Sequence, residues 1–286
     1  MTATLAKQFG VKFALELQLY LPLSAAKGMK GACACGAAFD SRGYHLLSCS
    51  CTYATTKRHT EIVNCFARVC KIMGITVEVE PEDRFPGTDV RPDLEYPYLR
   101  NGGRTDADVT VVTALHGNAG ARANAATVDG WSARRAERAK RAHYAAAGLG
   151  NIAGASLFPL VFEQGGRMGA ATKAFLRLLA QYGQDSGWAP RWFFYWSQAA
   201  KLNAALIEGN YKKVVAVRRH NLRMQHRGRA AMAGTGEASW PHSLHGEGGV
   251  HQHPLGDDVA AEGGAAHAAP VVAAAPVAGG GAAGGL

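Results

Sequence analysis

The spacing of apolar side chains predicts alternating helices and strands. Between His59 and Met73 apolar residues recur every three or four positions, which predicts an amphipathic helix with Thr60 as its N-cap and Gly74 at its end. Period-two alternation or a high β-branched content predicts strands at 75–80, 90–99, 105–115 and 156–164. Further helices are predicted from about Phe13 to before Pro22 and at 131–148, 170–182, 188–207 and 210–225. This order predicts an α/β or α+β fold with a mixed central sheet flanked by helices.

The composition of the chain changes at residue 233. From there to residue 286 it consists largely of Gly, Ala, Pro and His without periodicity, which predicts a disordered tail. All 31 Lys and Arg residues and 17 of the 22 acidic residues precede the tail, so residues 1–232 carry a formal net charge of +14. Such a basic region favours a polyanionic partner, above all nucleic acid, and a merely soluble basic protein is the alternative.

The sequence also argues against a role in membranes. It contains no run of 18 apolar residues, which is the length that a transmembrane helix requires. Polar residues interrupt the first apolar stretch, so a secretory signal is not expected. Six cysteines in 286 residues are too few for a disulfide scaffold, and their clustering is the more informative feature.

Residues 31–52 combine glycines with soft metal ligands. Four such ligands lie within 17 residues of the chain: Cys33, Cys35, His45 and Cys49. A structural zinc site needs four ligands in a tetrahedron, so this segment predicts an N-terminal zinc loop. Cys51 is a rival for the last position, and reduced, unliganded thiols are the alternative interpretation. Cys65 and Cys70 in the following helix are assigned to packing.

Two carboxylates occur on consecutive predicted strands. Asp93 follows Arg91 and Pro92, and Asp108 begins the segment Asp-Val-Thr-Val-Val. Strands joined by a glycine-rich turn would bring these carboxylates together, and paired carboxylates bind Mg²⁺ or Mn²⁺ with positions left for water and phosphate. Asp106 is on the same strand face as Asp108 and is a rival or auxiliary ligand. In the alternative interpretation, Asp93 caps a turn and Asp108 is a surface acid.

A lysine and two groups of basic residues add positive charge. Lys140 lies in the predicted helix 131–148 and could supply a charge to the acidic pair from another element. The patch around it consists of Arg134, Arg135, Arg138 and Arg141. A second patch consists of Lys212, Lys213, Arg218, Arg219, Arg223, Arg227 and Arg229, with a solvated helix face or a nuclear-import signal as the alternative. Contacts of these residues with phosphates would predict salt-sensitive binding of nucleic acid.

An aromatic run lies at residues 188–196. It contains Trp188, Trp192, Phe193, Phe194, Tyr195 and Trp196. At helical spacing such residues are more often part of a core than platforms for nucleic-acid bases. We therefore predict that the run packs into the interior, with base stacking as the alternative.

The motifs together resemble one known family. In chain order they are C-x-C-G-x3-D-x2-G-x-H-x3-C (33–49), Arg58-His59 at the start of a helix, RPD (91–93), DVTVV (108–112) and K-x3-Y (140–144). This arrangement is similar to the C-terminal restriction-like endonuclease region of site-specific retrotransposons that lack long terminal repeats. There, a Cys/His zinc motif accompanies a nuclease centre of the PD-(D/E)xK type, downstream of a reverse transcriptase. The similarity covers roughly residues 10–210, and Thr110 stands where the pattern has its lysine.

The resemblance implies a restriction-endonuclease-like α/β fold with an N-terminal zinc loop. Its domains would be residues 1–55, with a helix and the zinc loop, residues 56–232, with the nuclease core and basic helices, and the tail at 233–286. The implied function is that of a Mg²⁺- or Mn²⁺-dependent DNA endonuclease derived from a retroelement and located in the nucleus. DNA is the implied partner, with RNA of a retroelement as a further one and no membrane.

The resemblance also assigns roles to individual residues. Asp93 and Asp108 would bind the catalytic metal, Lys140 would be the catalytic lysine, and Tyr144 its companion on the helix. The ligand set Cys33, Cys35, His45 and Cys49 would hold a structural zinc. Glu163 and Glu61 are further candidate acids, and His59 either opens its helix or contacts a phosphate. The alternative function is a zinc-stabilised nucleic-acid-binding module without catalytic activity.

Overall fold

The protein is described by a computed structural model over residues 3–19, 21–82, 84–100, 103–114, 119–152 and 154–234. The predicted tail lies outside the described residues, apart from its first two positions, which end the last helix. The elements in chain order are α1 Ala3–Gln18, α2 His45–Ser48, α3 Ala54–Ile72, β1 Glu78–Val79, β2 Leu94–Arg100, β3 Gly103–Val112, α4 Ala119–Thr127, α5 Trp131–Ala146, β4 Ser156–Glu163, α6 Ala170–Asp185 and α7 Arg191–Gly234.

The four strands form one mixed sheet in the order β1-β2-β3-β4. The pairs β1/β2 and β2/β3 are antiparallel, and Leu94 lies opposite Ala107 in the second of them. Strands β3 and β4 are parallel, in a register that runs from Thr105 opposite Ser156 to Val112 opposite Glu163. Parallel neighbours need a long crossover connection, and α4 and α5 supply it. The predicted mixed α/β architecture is thus confirmed.

The two faces of the sheet differ in chemistry. Helices α3, α6 and α7 cover one face, where the core contains apolar side chains of these helices and of β2, β3 and β4: Ile62, Phe66, Leu94, Ala107, Val109, Leu160, Phe162, Phe175, Leu179 and Leu206. Helix α5 covers the other face. Because side chains alternate along β3, Ala107 and Val109 face the core while Asp106 and Asp108 face the side of α5. The alternation therefore places buried acids under α5.

A second apolar cluster joins the N-terminal segment to the far half of α7. It contains Phe13, Leu17, Leu23, Tyr44, Leu46, Leu47, Val214 and Val217, together with Cys33 and Cys49. The Cys/His loop is thus held against α7 by ordinary hydrophobic burial. Complete burial of each large side chain contributes roughly 1.5–3 kcal/mol to the free energy of unfolding. No helix among the described residues is both long and apolar enough to cross a membrane.

Four details of the structure differ from the sequence prediction. The strand expected at 75–80 is only β1, and α4 was not predicted because its sequence buries no residue. Helix α3 begins at Ala54 rather than at Thr60, whose hydroxyl donates to the carbonyl of Thr56 at 3.0 Å. Helix α7 is continuous where two helices were expected. Gly209 does not end a helix; a Cβ there would lie 2.7 Å from Cγ of Arg58, so the glycine allows α3 to approach α7 closely.

Candidate active site and metal centre

Asp108 of β3 meets two side chains of α5. Its Oδ2 lies 3.0 Å from Nζ of Lys140 and 2.7 Å from the hydroxyl oxygen of Tyr144. Lys140 and Tyr144 are four residues apart, so both point from the same face of the helix toward the sheet. The Tyr144 hydroxyl also lies 3.0 Å from the carbonyl oxygen of Arg91, which ties α5 to the segment before Asp93. Three of the residues assigned by sequence are therefore brought together.

Asp93 lies directly before β2 and is held by α3 and β3. Its Oδ2 is 3.0 Å from Nε2 of His59 and accepts a hydrogen bond from the backbone N–H of Val109. Nε2 of His59 is also 3.1 Å from the carbonyl oxygen of Val109. Both acceptors favour a protonated Nε2, so His59 orients the Asp93 carboxylate and brings a positive charge beside it when the ring is doubly protonated.

The charge of Asp93 acts on the buried carboxyl group of Asp108. Burial raises the pKa of Asp108 above its usual range, and the charge of Asp93 raises it further. Lys140 and the hydrogen bond from Tyr144 act in the opposite direction without reversing the shift. Burial and the same carboxylates raise the pKa of Tyr144 as well, so its hydroxyl keeps its proton and remains a donor. A buried carboxyl group whose ionisation is disfavoured by its surroundings is a suitable ligand for a cation, which would favour the ionised form.

The free oxygens of the pair fit a hard metal ion. Each carboxylate uses only Oδ2 for its hydrogen bonds, and within the described part of the chain Oδ1 of Asp93 and Oδ1 of Asp108 have no hydrogen-bond partner. Carboxylate oxygens are the ligands that Mg²⁺ and Mn²⁺ prefer, and these cations complete their coordination with water and phosphate. The donor set therefore suits a divalent cation that takes only part of its ligands from the protein.

Asp106 does not join the acidic pair. Both of its oxygens accept hydrogen bonds from the Arg104 guanidinium, at 3.0 and 2.8 Å, and the side chain is fully buried. Arg104 also contacts Glu95, which forms an ion pair with Arg84. The expectation that Asp106 is an auxiliary metal ligand has this physical obstacle, because a bidentate arginine already neutralises the carboxylate.

The other candidate acids lie elsewhere. Glu163 is buried, accepts from the backbone N–H of Ala133 at the start of α5, and lies 3.5 Å from Nε of Arg167. Glu61 is exposed and pairs with Lys212 of α7. Neither contacts Asp93 or Asp108.

The structure makes His59 part of the site, because its ring lies beside Asp93. The sequence alone did not decide between a helix start and a phosphate contact for this residue. The Arg58-His59 pair, which lies within the first two turns of α3, is the available signal in the sequence.

The ion pair of His59 and Asp93 predicts a pH dependence. Burial alone would lower the pKa of His59, but the hydrogen bond and charge of Asp93 outweigh it, so the pKa is raised. A raised pKa in the folded state contributes stability that is fully present below about pH 6.5 and is lost as the pH rises through the folded value. We expect Asp93→Asn to lower the pKa of His59 below its ordinary value, as measured by NMR titration of the ring protons.

The matched control for this titration is Glu61→Gln. Glu61 lies on the same helix, is exposed and has no contact with His59. Its replacement should leave the titration of His59 unchanged. An ordinary or lowered pKa in the parent protein, or no response to Asp93→Asn, would contradict the proposed ion pair.

The N-terminal loop gathers soft ligands at one point. The ligand atoms of Cys33, Cys35, His45 and Cys49 all lie within 4.8 Å of one another. Sγ of Cys33 is 3.4 Å from Sγ of Cys49, and Sγ of Cys35 is 3.3 Å from Nε2 of His45. These separations approach the edge of about 3.8 Å expected for thiolates around tetrahedral zinc. The cluster could bind a metal ion such as zinc, and it is the single such group of three or more ligands in the described ranges.

Local turns and neighbouring side chains fix this cluster. Gly43 adopts a φ of 78°, and a Cβ there would lie 2.3 Å from Cβ of Ala26, so the turn before His45 requires glycine. Asp40 accepts hydrogen bonds from the backbone N–H groups of Arg42, Tyr44 and His45, which outweigh burial and lower its pKa. Asn221 of α7 donates to Sγ of Cys33 at 3.3 Å. Such outer contacts orient metal ligands.

The charges of the thiols also favour a bound cation. Burial disfavours the Cys33 thiolate, but hydrogen bonds from its neighbours lower its pKa to about 6. Burial and the nearby thiols raise the pKa of Cys49, so a second thiolate forms with difficulty unless a cation offsets it. Cys51 remains close, with its Sγ 3.1 Å from Sγ of Cys49. Cys51 thus lies beside the cluster but is not one of the four residues whose ligand atoms are all close to one another.

The basic residues fall into exposed and buried groups. Arg134, Arg138 and Arg141 are exposed on α5, whereas the guanidinium of Arg135 lies 5.6 Å from the ring of Trp131. In the second patch Arg219, Arg223 and Arg227 are exposed, and Arg229 has a side chain outside the described residues. Arg218 instead donates to the carbonyl oxygens of Ala25 and Lys27. Lys213 is fully buried, and burial lowers its pKa to about 7. The second patch is thus smaller than predicted.

The aromatic run is mostly on the surface, so its assignment to the core was wrong. Phe194 is buried, and Tyr195 is half-buried. The remaining four, Trp188, Trp192, Phe193 and Trp196, are all more than half exposed. Only the face of α7 that contains Phe194 packs against α6, where Gly183 lies beside its ring.

No protein-family model matches the chain, and no curated protein matches its sequence. What the protein does must therefore be inferred from the residues of the two sites.

Proposed function

We propose that this protein is a metal-dependent DNA endonuclease with a restriction-endonuclease-like α/β core and a structural zinc in its N-terminal loop. One observation carries the proposal. Asp93, Asp108 and Lys140 come from three separate segments and meet at one place, where Lys140 lies 3.0 Å from Asp108 and Asp93 raises the pKa of Asp108. A mixed sheet flanked by helices supports these residues. Acids paired with a lysine are a sufficient set for hydrolysis of a phosphodiester bond.

The residues of the site would divide the work among them. Asp93 and Asp108 would hold a divalent cation, which when bound supplies charge stabilisation and lowers the pKa of a water molecule. The ammonium of Lys140 is partly exposed beside Asp108, so it offers a positive charge to an approaching phosphate oxygen. Tyr144 and His59 are positioning residues, because each donates to one carboxylate and fixes its orientation.

The surface next to the site suits DNA. Arg134, Arg138 and Arg141 recur every three or four residues along α5 and form one exposed basic stripe, whereas Lys140 lies on the face of the helix that points toward the sheet. Contacts of such residues with phosphates would supply affinity that falls steeply with salt. A zinc ion with four protein ligands has no open position for catalysis, so the zinc would be structural. It would stabilise the N-terminal segment.

A zinc-stabilised nucleic-acid-binding module without catalysis is the second candidate. The pairing of Asp106 with Arg104 favours this candidate. Without Asp106, the described residues contain no third carboxylate close enough to bind the same cation as Asp93 and Asp108. This candidate shares the basic stripe and the Cys/His cluster with the first.

Nicking of supercoiled plasmid by the full chain tests the proposal. We expect cleavage after addition of Mg²⁺ or Mn²⁺ and none when both are omitted; omission is preferable to a chelator, which would also remove zinc from the loop. Salt-sensitive binding without cleavage would select the binding module. A lack of DNA binding at low salt would overturn both candidates.

A further inference from the structure

A groove between α6 and α7 has one aromatic wall. Trp192 and Trp196 lie one helical turn apart on α7, so their side chains share a face, and they are 69% and 66% exposed. Tyr195 lines the same groove, with its ring centroid 5.2 Å from that of Trp196. Large aromatic side chains are usually buried for most of their area, so two adjacent exposed indoles mark a binding surface.

The α6 wall of the groove is cationic, and a further cation stands beside the indoles on α7. Lys173 and Arg177 lie one turn apart on α6, and Arg191 stands at the start of α7. In the described part of the chain these three residues form no ion pair, and no acidic residue lines the groove. The guanidinium of Arg177 lies 5.9 Å from the centroid of the Tyr195 ring. The cations are therefore available to an anionic ligand.

The floor of the groove offers an unused polar atom. Oδ1 of Asn203 is buried and has no hydrogen-bond partner. It lies beside Gly166, where a Cβ would come within 2.5 Å of it. Buried polar atoms are nearly always hydrogen-bonded, so this unpaired oxygen beside a groove of about 980 Å³ leaves one polar group of the lining without a partner.

We propose that this groove binds single-stranded nucleic acid, with bases stacked on Trp192 and Trp196 and phosphates held by Lys173, Arg177 and Arg191. A single strand presents flat bases on one side and phosphates on the other, which matches the two walls. A duplex hides its base faces within the stack, so it fits this surface less well. None of these residues belongs to the acidic pair or the Cys/His cluster, and the binding does not depend on catalysis.

Binding of short labelled oligonucleotides tests the inference. The probes are fluorescein-labelled twelve-residue oligothymidylate and oligouridylate, measured by anisotropy with the full chain and without added Mg²⁺ or Mn²⁺. We expect Trp192→Ala and Trp196→Ala each to weaken binding at least about fivefold, the lower end of the effect of one stacked base. Both indoles are exposed, so the variants should fold, which circular dichroism would check. The two probes distinguish DNA from RNA as the source of the strand.

Salt dependence separates stacking from charge. For a single strand, each phosphate contact contributes about 0.7 to the slope of log affinity against log salt. Lys173→Gln and Arg177→Gln should each reduce the slope by about that amount, whereas the tryptophan variants should leave it unchanged. If a tryptophan variant fails to fold, the two charge variants still test the cationic wall.

An abasic oligonucleotide of the same length provides the sharpest comparison, since it keeps the phosphates and lacks the bases. The parent protein should bind it more weakly than oligothymidylate, and the double tryptophan variant should bind the two equally. Tyr53→Ala is the matched control, because Tyr53 is 83% exposed and lies outside the groove. Its affinity should equal that of the parent.

Three results would overturn the inference: unchanged affinity in the double variant, equal binding of abasic and normal strands by the parent, or binding of an oligoglutamate peptide that depends on the two tryptophans, which would indicate a protein partner. Asp108→Asn should leave this binding intact, so failure of the nuclease proposal and failure of the groove can be told apart.

Discussion

Replacing Asp108 with asparagine is expected to lower metal-dependent cleavage of DNA by on the order of 10³-fold, the upper end of the effect of removing one preorganised hydrogen-bond donor from a reaction centre. Asparagine keeps the shape of the side chain and an acceptor for the Tyr144 hydroxyl, but it removes the negative charge that would hold the cation. Lys140 is partly exposed, so losing its partner should cost the fold only about 1–2 kcal/mol. Plasmid nicking and thermal unfolding, measured on the same preparation, separate the two effects.

Glu61→Gln is the matched control for Asp108→Asn. It removes one negative charge from the same fold at an exposed position that does not contact the acidic pair. Cleavage by this variant should equal that of the parent. Equal activity of Asp108→Asn and the parent would show that the acidic pair is not the catalytic centre, and equal loss in both variants would indicate a nonspecific effect of charge.

Loss of the Cys/His cluster is expected to have the largest effect on stability. Zinc binds small structural sites with apparent free energies of about 10–16 kcal/mol, much of which becomes folding free energy. Cys49→Ser should remove stoichiometric zinc and lower the thermal midpoint by about 10–20 °C, if about 5 kcal/mol of that free energy is lost. The unfolding should begin at the N-terminal segment, because Cys33 and Cys49 belong to the apolar cluster that joins it to α7. Metal analysis and calorimetry measure both quantities.

Two further cysteine variants sharpen this experiment. Cys65→Ser is the control, since Cys65 is half-buried in α3 beside Arg68 and lies outside the cluster. It should retain one zinc per chain. Cys51→Ser tests the rival ligand, and we expect it to retain zinc while His45→Ala loses it. Retention of zinc by Cys49→Ser and its loss by Cys51→Ser would reverse the assignment of the last ligand. A parent protein purified without metal, and not stabilised by added zinc, would contradict the site itself.

Much of the local structure follows from sequence patterns. The period of 3.6 residues in α3 and the β-branched run in β3 specified their type, because helix and strand periodicities arise from backbone geometry within each segment. The prediction failed where the same residue can have two structural roles, as a glycine can end a helix or allow close packing of two helices. Two helices were predicted at 188–207 and 210–225, yet α7 is continuous, and the missing side chain of Gly209 between them serves the contact with Arg58.

The candidate site divides in the same way. The residue types of Asp93, Asp108 and Lys140 and their order along the chain are enough to predict a joint site, because carboxylates on neighbouring strands meet when a hairpin forms. The pairing of Asp106 with Arg104 was not predictable. Asp106 and Asp108 share a strand and a residue type, but one is paired with Arg104 and the other with Lys140, since different elements lie above them.

The sequence by itself determined the elements of the sheet, the net charge of the folded region and the four soft ligands of the N-terminal loop. These are properties of composition and short spacing, which no distant contact changes. The tertiary structure decided that His59 reaches Asp93, that Lys213 is buried, and that Trp192 and Trp196 face outward. Each of these depends on which helix packs against which face, a choice made by contacts between segments far apart in the chain, so local patterns could not determine it.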